Sequence, residues 1–314
     1  SDLYKPSENE SYPFNIIWMR TRCTKLFPPH TLPYCPEVKK IAKSGNFDLI
    51  ITSEVFSLNS LKLALCTPKN LIVWQELGKH NRIFHGLASK FWYGIVAKIG
   101  FKKALIVARS VQAREFISKY CKNVSDTIID HGVNIEKFTP CREKDNQFAI
   151  SSQLISRKHI EKSIEAFAKY LNKYDDSAKL YIMGDGDEKE NLRKLAKDLG
   201  ADKNIIFTGK LGHNELIEIL KKSIAMLVYT EKDNNMVSIV ESIALATPVI
   251  TTDIPYNASY IKAEKLGIVN NNWNEDDLRK LATSDEYINN CINYRKYLPT
   301  EYKAEQFLKV KGLI

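Results

Sequence analysis

The sequence predicts an α/β protein built from two doubly wound parallel sheets in tandem, and three observations carry that expectation. Short β-rich runs alternate with amphipathic helical stretches almost throughout. The alternation restarts after a polar break near residues 140–147. The 314 residues, 44% hydrophobic and 26% charged, suffice for two domains. The 13 glycines and 11 prolines are too few for a low-complexity or collagen-like chain. No apolar run approaches the roughly 18 residues that a membrane-crossing helix needs.

In the first series, strands are expected at FNIIWM from Phe14, DLIITS from Asp48, NLIVWQ from Asn70, ALIVAR from Ala104 and DTIIDHG from Asp126. Runs so uniformly apolar suit strands buried on both faces, as in a parallel sheet. Ser57 to Cys66 and Ser110 to Tyr120 read as intervening helices. After FTPCREKDNQ, which holds Pro140, a second series runs through FAISSQL, KLYIMG, NIIFTG, AMLVYT, PVITTD and LGIVNN. Helical patterns from Asp285 onward add no strand. The expected division is therefore a first Rossmann-like domain at 1–140, a second at 141–284 with a cleft between the two, and helices at 285–314 packing back toward the first.

The net charge of +9 is unevenly spread. Residues 1–140 hold 20 Lys/Arg against 11 Asp/Glu, and the remainder holds 26 of each. The basic half is thus expected to meet something anionic. No RNA- or DNA-binding motif is visible, and the aromatics sit on a helical stretch rather than a β platform, so nucleic acid is not the expected partner. Cys23, Cys35, Cys66, Cys121, Cys141 and Cys291 are far apart, without zinc spacing, and read as reduced thiols. With no leader-like opening, the expected location is the cytoplasm.

In a parallel sheet, ligands bind beyond the carboxyl ends of the strands, so the strand-to-helix turns are where chemistry is expected. Four in the second series are unusually polar: SSQLISRK, GDGDEKEN, TGKLGHNE and TEKDNNMVS. The last sets Asp233 eight positions before Glu241, with a helix starting between them. Free N–H groups around Val237 and Ser238 suit a phosphate, and the two carboxylates suit sugar or ribose hydroxyls. Taken alone, Asp233 reads equally as a helix cap and Glu241 as a solvated charge. Arg157 and Lys158 open a helix where its dipole disfavours cations, which points to an anionic ligand such as a diphosphate. The Gly-x-Gly at Gly184 lacks the third glycine of a dinucleotide fingerprint and reads as a tight turn capped by Asp187. The turn Thr208-Gly209-Lys210-Leu211 lies between a strand and a helix, where its small residues would let backbone approach a flat base.

Together these segments resemble the donor-binding domain of retaining glycosyltransferases of family 4, which have the GT-B architecture. The likeness runs from DTIIDHGVNIEKFTP to PVITTD, about half of the chain, and is most specific between Asp233 and PVI. It implies that Glu241 holds the donor ribose, Asp233 a sugar hydroxyl, and Val237 with Ser238 the phosphate, while Lys158 takes the family's diphosphate-binding lysine. The sequence departs from the family at Asp233, one methylene shorter than glutamate, at Gln153 in place of arginine, and at Ser152 and His159 in place of glycines. Arg157 is expected to replace the missing arginine. Where many members carry a His-Asp pair, this chain reads Gln75-Glu76, making Glu76 a candidate acceptor-side carboxylate. Nothing before Phe14 resembles the family's opening strand, glycine-rich loop and helix, so the chain is expected to be a fragment or a shortened member.

The resemblance thus implies a nucleotide-sugar-dependent glycosyltransferase, retaining and metal-free. Asp233, Lys158 and Glu76 are its catalytic candidates. Its substrate-binding set is Gln75, Gln153, Arg157, Gly209, Lys210, Leu211, Asn234, Asn235, Met236, Val237, Ser238 and Glu241. A lipid-linked or cell-surface glycan precursor in a bacterium is the implied acceptor. The alternative is a non-catalytic GT-B subunit that supports a partner enzyme. From Lys79 to Lys103, six Lys/Arg mix with Phe84, Phe91, Trp92, Tyr93 and Phe101, which suits peripheral contact with an anionic membrane on its inner face.

Overall fold

The computed structural model describes residues 14–21, 34–79 and 85–314. Residues before Phe14, Cys23, and the stretch 80–84 that includes Phe84 lie outside the described residues. The chain divides into two compact units, one formed by Ser1–Val73 with Ile83–Leu105 and the other by Trp74–Arg82 with Ile106–Ile314.

In the smaller unit, β1 (Ile50–Ser53) is followed by the helix Leu58–Cys66 and by β2 (Leu71–Gln75), whose last two residues belong to the larger unit. The expected strand at FNIIWM is not formed: residues 14–21 carry no strand, and Phe14, Ile16, Ile17 and Trp18 are exposed. Apolar composition alone does not make a strand. The basic aromatic segment is helical from Gly86 to Gly100, with a wider π turn over Trp92–Ala97. Trp92, Tyr93, Ala97 and Phe101 are buried, and the Trp92 indole N–H donates to Val55 O at 3.3 Å. Leu87, Phe91, Ile95 and Ile99 recur every four residues and are all exposed.

In the larger unit, Arg109 N–H donates to Gln75 O at 2.8 Å, beside the carboxyl end of β3 (Leu105–Ala108). β3 pairs in parallel with β4 (Val124–Ile128), which begins two residues earlier than the run from Asp126. Between them, Ser110 caps the helix Val111–Ile117 by accepting from Ala113 N–H.

Six further strands form a second sheet: β5 (Gln147–Ser151), β6 (Lys179–Met183), β7 (Ile205–Gly209), β8 (Ala225–Leu227), β9 (Val249–Thr251) and β10 (Gly267–Val269). Their order is β10-β9-β8-β5-β6-β7, and all five pairings are parallel. The helix Ile160–Lys173 packs Ile164, Phe167 and Tyr170 on Phe148 of β5. Each such fully buried side chain contributes about 2–3 kcal/mol through area removed from water.

The strand order decides where the site forms. After β5 the chain moves to β6 on one side, and it later returns to β8 on the other, so β5 and β8 flank a topological switch point. The turns that follow them, SSQLISRK and TEKDNNMVS, therefore emerge side by side. The Gly-x-Gly turn after β6 supports the first of these. A Cβ on Gly184 (φ +152°) would lie 1.8 Å from Ser152 O, and one on Gly186 (φ +158°) would lie 2.3 Å from Leu154 O. Asp187 does not cap the next helix; Glu188 precedes it, and Glu188 N–H bonds to Leu154 O at 3.0 Å.

Three helices, Glu275–Ala282, Glu286–Tyr294 and Thr300–Lys311, follow β10. Pro299 bridges Val133, and Arg295 donates to Phe138 O at 2.7 Å.

Candidate functional site

The turn after β5 meets the turn after β8 at Asp233. Lys158 Nζ lies 2.7 Å from Asp233 Oδ2 and Arg157 Nη1 lies 3.0 Å from Asp233 Oδ1, while the Thr230 hydroxyl also bonds the carboxylate. Arg157 donates in addition to Lys232 O at 2.9 Å. Burial alone would raise the Asp233 carboxyl, but hydrogen bonds from Lys158, Thr230 and Arg157 hold it below the usual carboxylate range. Two cations thus share one carboxylate. The helix Val237–Ala244 begins at the expected place, and the residue before it is Met236, so Asp233 is not its cap.

His159, where the resembled family has a glycine, stands in the left-handed region at φ +41°, ψ +45°. Glycine is free of the strain that this conformation places on a side chain. Here two carboxylates hold the ring, Glu161 2.7 Å from Nδ1 and Glu231 2.8 Å from Nε2. Glu161 foremost raises the histidine above its ordinary value; burial opposes it, and Glu231 adds to the rise. Because the folded value exceeds the unfolded one of about 6.5, this contribution to stability is complete below that pH and is lost as pH rises through the folded value. His159→Asn, which tolerates the same backbone, is expected to lower the melting temperature at about pH 5.5, and the difference is expected to shrink as pH rises through the folded value. A difference independent of pH would remove this role.

Glu241 pairs with His213 at 3.1 Å, which brings in the turn after β7. Leu211 of that turn packs on the apolar cluster that contains Met236 and Val240. Gly209 has φ +73°, and Lys210 and Gln153 are exposed. Asn257 is fully buried and anchors the Asp233 turn from the other end: its Oδ1 accepts from Met236 N–H at 2.7 Å and its Nδ2 donates to Asn235 Oδ1 at 2.7 Å. Asn234 Nδ2 donates to Glu76 O at 2.8 Å, and Asn234 O accepts from Tyr256 N–H at 2.6 Å.

Asn234 thus joins the Asp233 turn to a second polar cluster. Glu76 Oε2 lies 2.6 Å from Arg109 Nη1, Glu76 Oε1 lies 3.9 Å from His131 Nε2, and the Arg109 guanidinium covers the Trp74 ring at 3.7 Å. His131 foremost and Arg109 keep the Glu76 carboxyl below its usual range, against burial. Gln75 is fully buried, with its amide donating to Leu77 O at 2.8 Å. Arg109, His131, His213, Thr230 and Glu231 are absent from the sequence-derived site. The one available signal was the position of Arg109 at the carboxyl end of β3, where ligands are met.

Residues 134–296 match the family model described as glycosyl transferases group 1. The chain belongs to that family. Among curated relatives, this group 1 glycosyltransferase is similar to the alpha-monoglucosyldiacylglycerol synthase of Streptococcus pneumoniae, 25% identical over 255 residues, which are 73% of this chain and 57% of the relative. It also resembles the N-acetyl-alpha-D-glucosaminyl L-malate synthase of Bacillus anthracis, 32% identical over 97 residues, 31% of this chain and 24% of that one. The chain thus spans little more than half of the first relative's length. Among solved structures, Anabaena HepE in complex with UDP superposes with a TM-score of 0.67 at 14% identity, over 89% of this chain and 83% of HepE. The fold of this group 1 glycosyltransferase is accordingly GT-B. Among its described residues, no helix is long and apolar enough to cross a membrane.

Proposed function

We propose that this chain transfers a glycosyl group from a nucleoside-diphosphate sugar to a hydroxyl of a lipid-linked or cell-surface glycan precursor, with retention of configuration, as in the family 4 enzymes it resembles. The observation that carries the reading is the convergence of Lys158 and Arg157 on Asp233 at the sheet's switch point, beside the start of the helix Val237–Ala244. Lys158 and Arg157 would stabilise the charge that develops on the departing diphosphate, joined by the Val237 and Ser238 N–H groups. In this scheme Glu241 holds the ribose, Asp233 orients a sugar hydroxyl as its cations turn to the diphosphate, and Glu76 serves the acceptor. The scheme draws its positive charge from these side chains and calls on no metal ion.

The UDP in the HepE complex and the lipid product named for the pneumococcal relative support the choice of donor and acceptor classes. Calorimetry against UDP, GDP and ADP sugars is expected to show binding of one nucleotide class. Binding of none would overturn the reading, and binding without turnover on any acceptor would favour a non-catalytic partner subunit.

We also propose that the helix from Gly86 lies on an anionic bilayer at the inner face of a bacterial membrane. Four residues overshoot one α-helical turn by about 40°, so an α-helix would carry the stripe of Leu87, Phe91, Ile95 and Ile99 around its axis. The wider π turn over Trp92–Ala97 offsets that drift. Lys90, Lys98, Lys102 and Lys103 are exposed beside it. Replacing these four by Gln is expected to release the chain from vesicles rich in anionic lipid, each lysine contributing about 1 kcal/mol near the surface. Binding to neutral vesicles that is insensitive to salt would contradict this.

A further inference from the structure

We propose that the helix Thr300–Lys311 positions the Glu76–Arg109–His131 cluster, with Lys303 and Phe307 as its positioning residues; this rests on the reading of Glu76 as an acceptor-side carboxylate. Both residues are buried and sit about one turn apart on one face of that helix. Lys303 Nζ pairs with the carboxylate of Asp130, which immediately precedes His131. The two side chains are each only 11% exposed, so neither can lose its partner without leaving a buried charge. Phe307 meets the Trp74 ring edge-on at 5.4 Å.

Trp74 is the keystone of the cluster. Its indole N–H donates to Ile129 O at 2.7 Å, its ring lies 5.5 Å from that of His131, and its face carries the Arg109 guanidinium at 3.7 Å. Arg109 in turn holds Glu76 at 2.6 Å. Contacts therefore run without a break from the helix, through Trp74 and Asp130, to Arg109 and His131, and so to the Glu76 carboxylate.

The backbone next to His131 is also fitted to this helix. A Cβ on Gly132 would lie 2.8 Å from Thr300 Cα. Thr300 N–H bonds to Val133 O at 3.0 Å, and Val133 N–H to Leu298 O at 2.9 Å. Seating of the helix thus sets the path of residues 130–133, and with it the His131 ring. A carboxylate that must meet an acceptor hydroxyl at hydrogen-bond distance tolerates little displacement. The nucleotide-side groups, by contrast, are carried by the turn after β5 and the helix Val237–Ala244.

The test uses the whole chain carrying Phe307→Ala, and separately the pair Asp130→Asn with Lys303→Met, which removes both charges together so that neither is orphaned. UDP release from UDP-glucose or UDP-N-acetylglucosamine is expected to slow tenfold or more in kcat. The acidic limb of its pH profile is expected to move to higher pH as Glu76 loses its cationic neighbours, with UDP affinity by calorimetry within twofold of the parent. Phe307→Tyr, which keeps the ring edge, is expected to restore kcat. Unchanged kcat and pH limb in folded variants would overturn the proposal, as would a loss of kcat matched by an equal loss of UDP affinity. A parent that binds UDP but is indifferent to Glu76→Gln would remove the reading beneath it, and the inference with it.

Discussion

Lys158→Ala is expected to reduce turnover by about 10²–10³, the usual cost of deleting one group that stabilises developing charge, while the affinity for nucleoside monophosphate changes only a few-fold. The argument is differential. In the unliganded chain Lys158 is held 2.7 Å from Asp233, and that carboxylate keeps Arg157 and Thr230 when the lysine is removed. The ground-state turn therefore survives. On the proposed scheme, what is lost is the cation that would face the diphosphate as its bond to the sugar breaks. Steady-state release of nucleoside diphosphate and calorimetry with the monophosphate, run on one preparation, separate the two effects. Equal losses in both would make Lys158 a structural lysine.

Glu241→Ala is expected to weaken nucleotide binding by about 2 kcal/mol, roughly thirtyfold, through loss of a charge-assisted contact with the ribose. Glu241 is positioned by His213 at 3.1 Å rather than buried in the core, so the melting temperature should change little. His213→Ala is a useful companion, since it frees the carboxylate without deleting it and should cost less affinity than Glu241→Ala. Unchanged affinity in the glutamate variant would take Glu241 out of the site.

Most strands were legible because a parallel sheet buries both faces and leaves continuous apolar runs, and β5, β6 and β7 lie where those runs do. The same signal misled at Phe14–Met19, since composition reports burial tendency and not strand pairing. Asp233, Lys158 and Arg157 were legible singly, as a carboxylate and two cations in polar turns. Their ion pairs were not, because residues about 75 positions apart meet only through the adjacency of β5 and β8, a property of strand order. His159 stood out as a departure from glycine, but its left-handed backbone and its two carboxylate partners emerged only from the structure. The Glu76 cluster draws on the ends of β2, β3 and β4, and no local pattern links Arg109 or His131 to that glutamate.

The junction between residues 129–138 and 295–307 has a consequence for biosynthesis. Its ties, Lys303 to Asp130 and Arg295 to Phe138, span 173 and 157 residues of sequence. At translation rates of roughly 5–20 residues per second, the earlier segment would leave the ribosome on the order of ten seconds or more before its partner is made. Over that interval the Asp130 carboxylate lacks its cation and Trp74 lacks its aromatic lid. The nascent chain therefore carries an unfinished surface of mixed apolar and acidic character, one on which a holdase could act until the helix Thr300–Lys311 arrives.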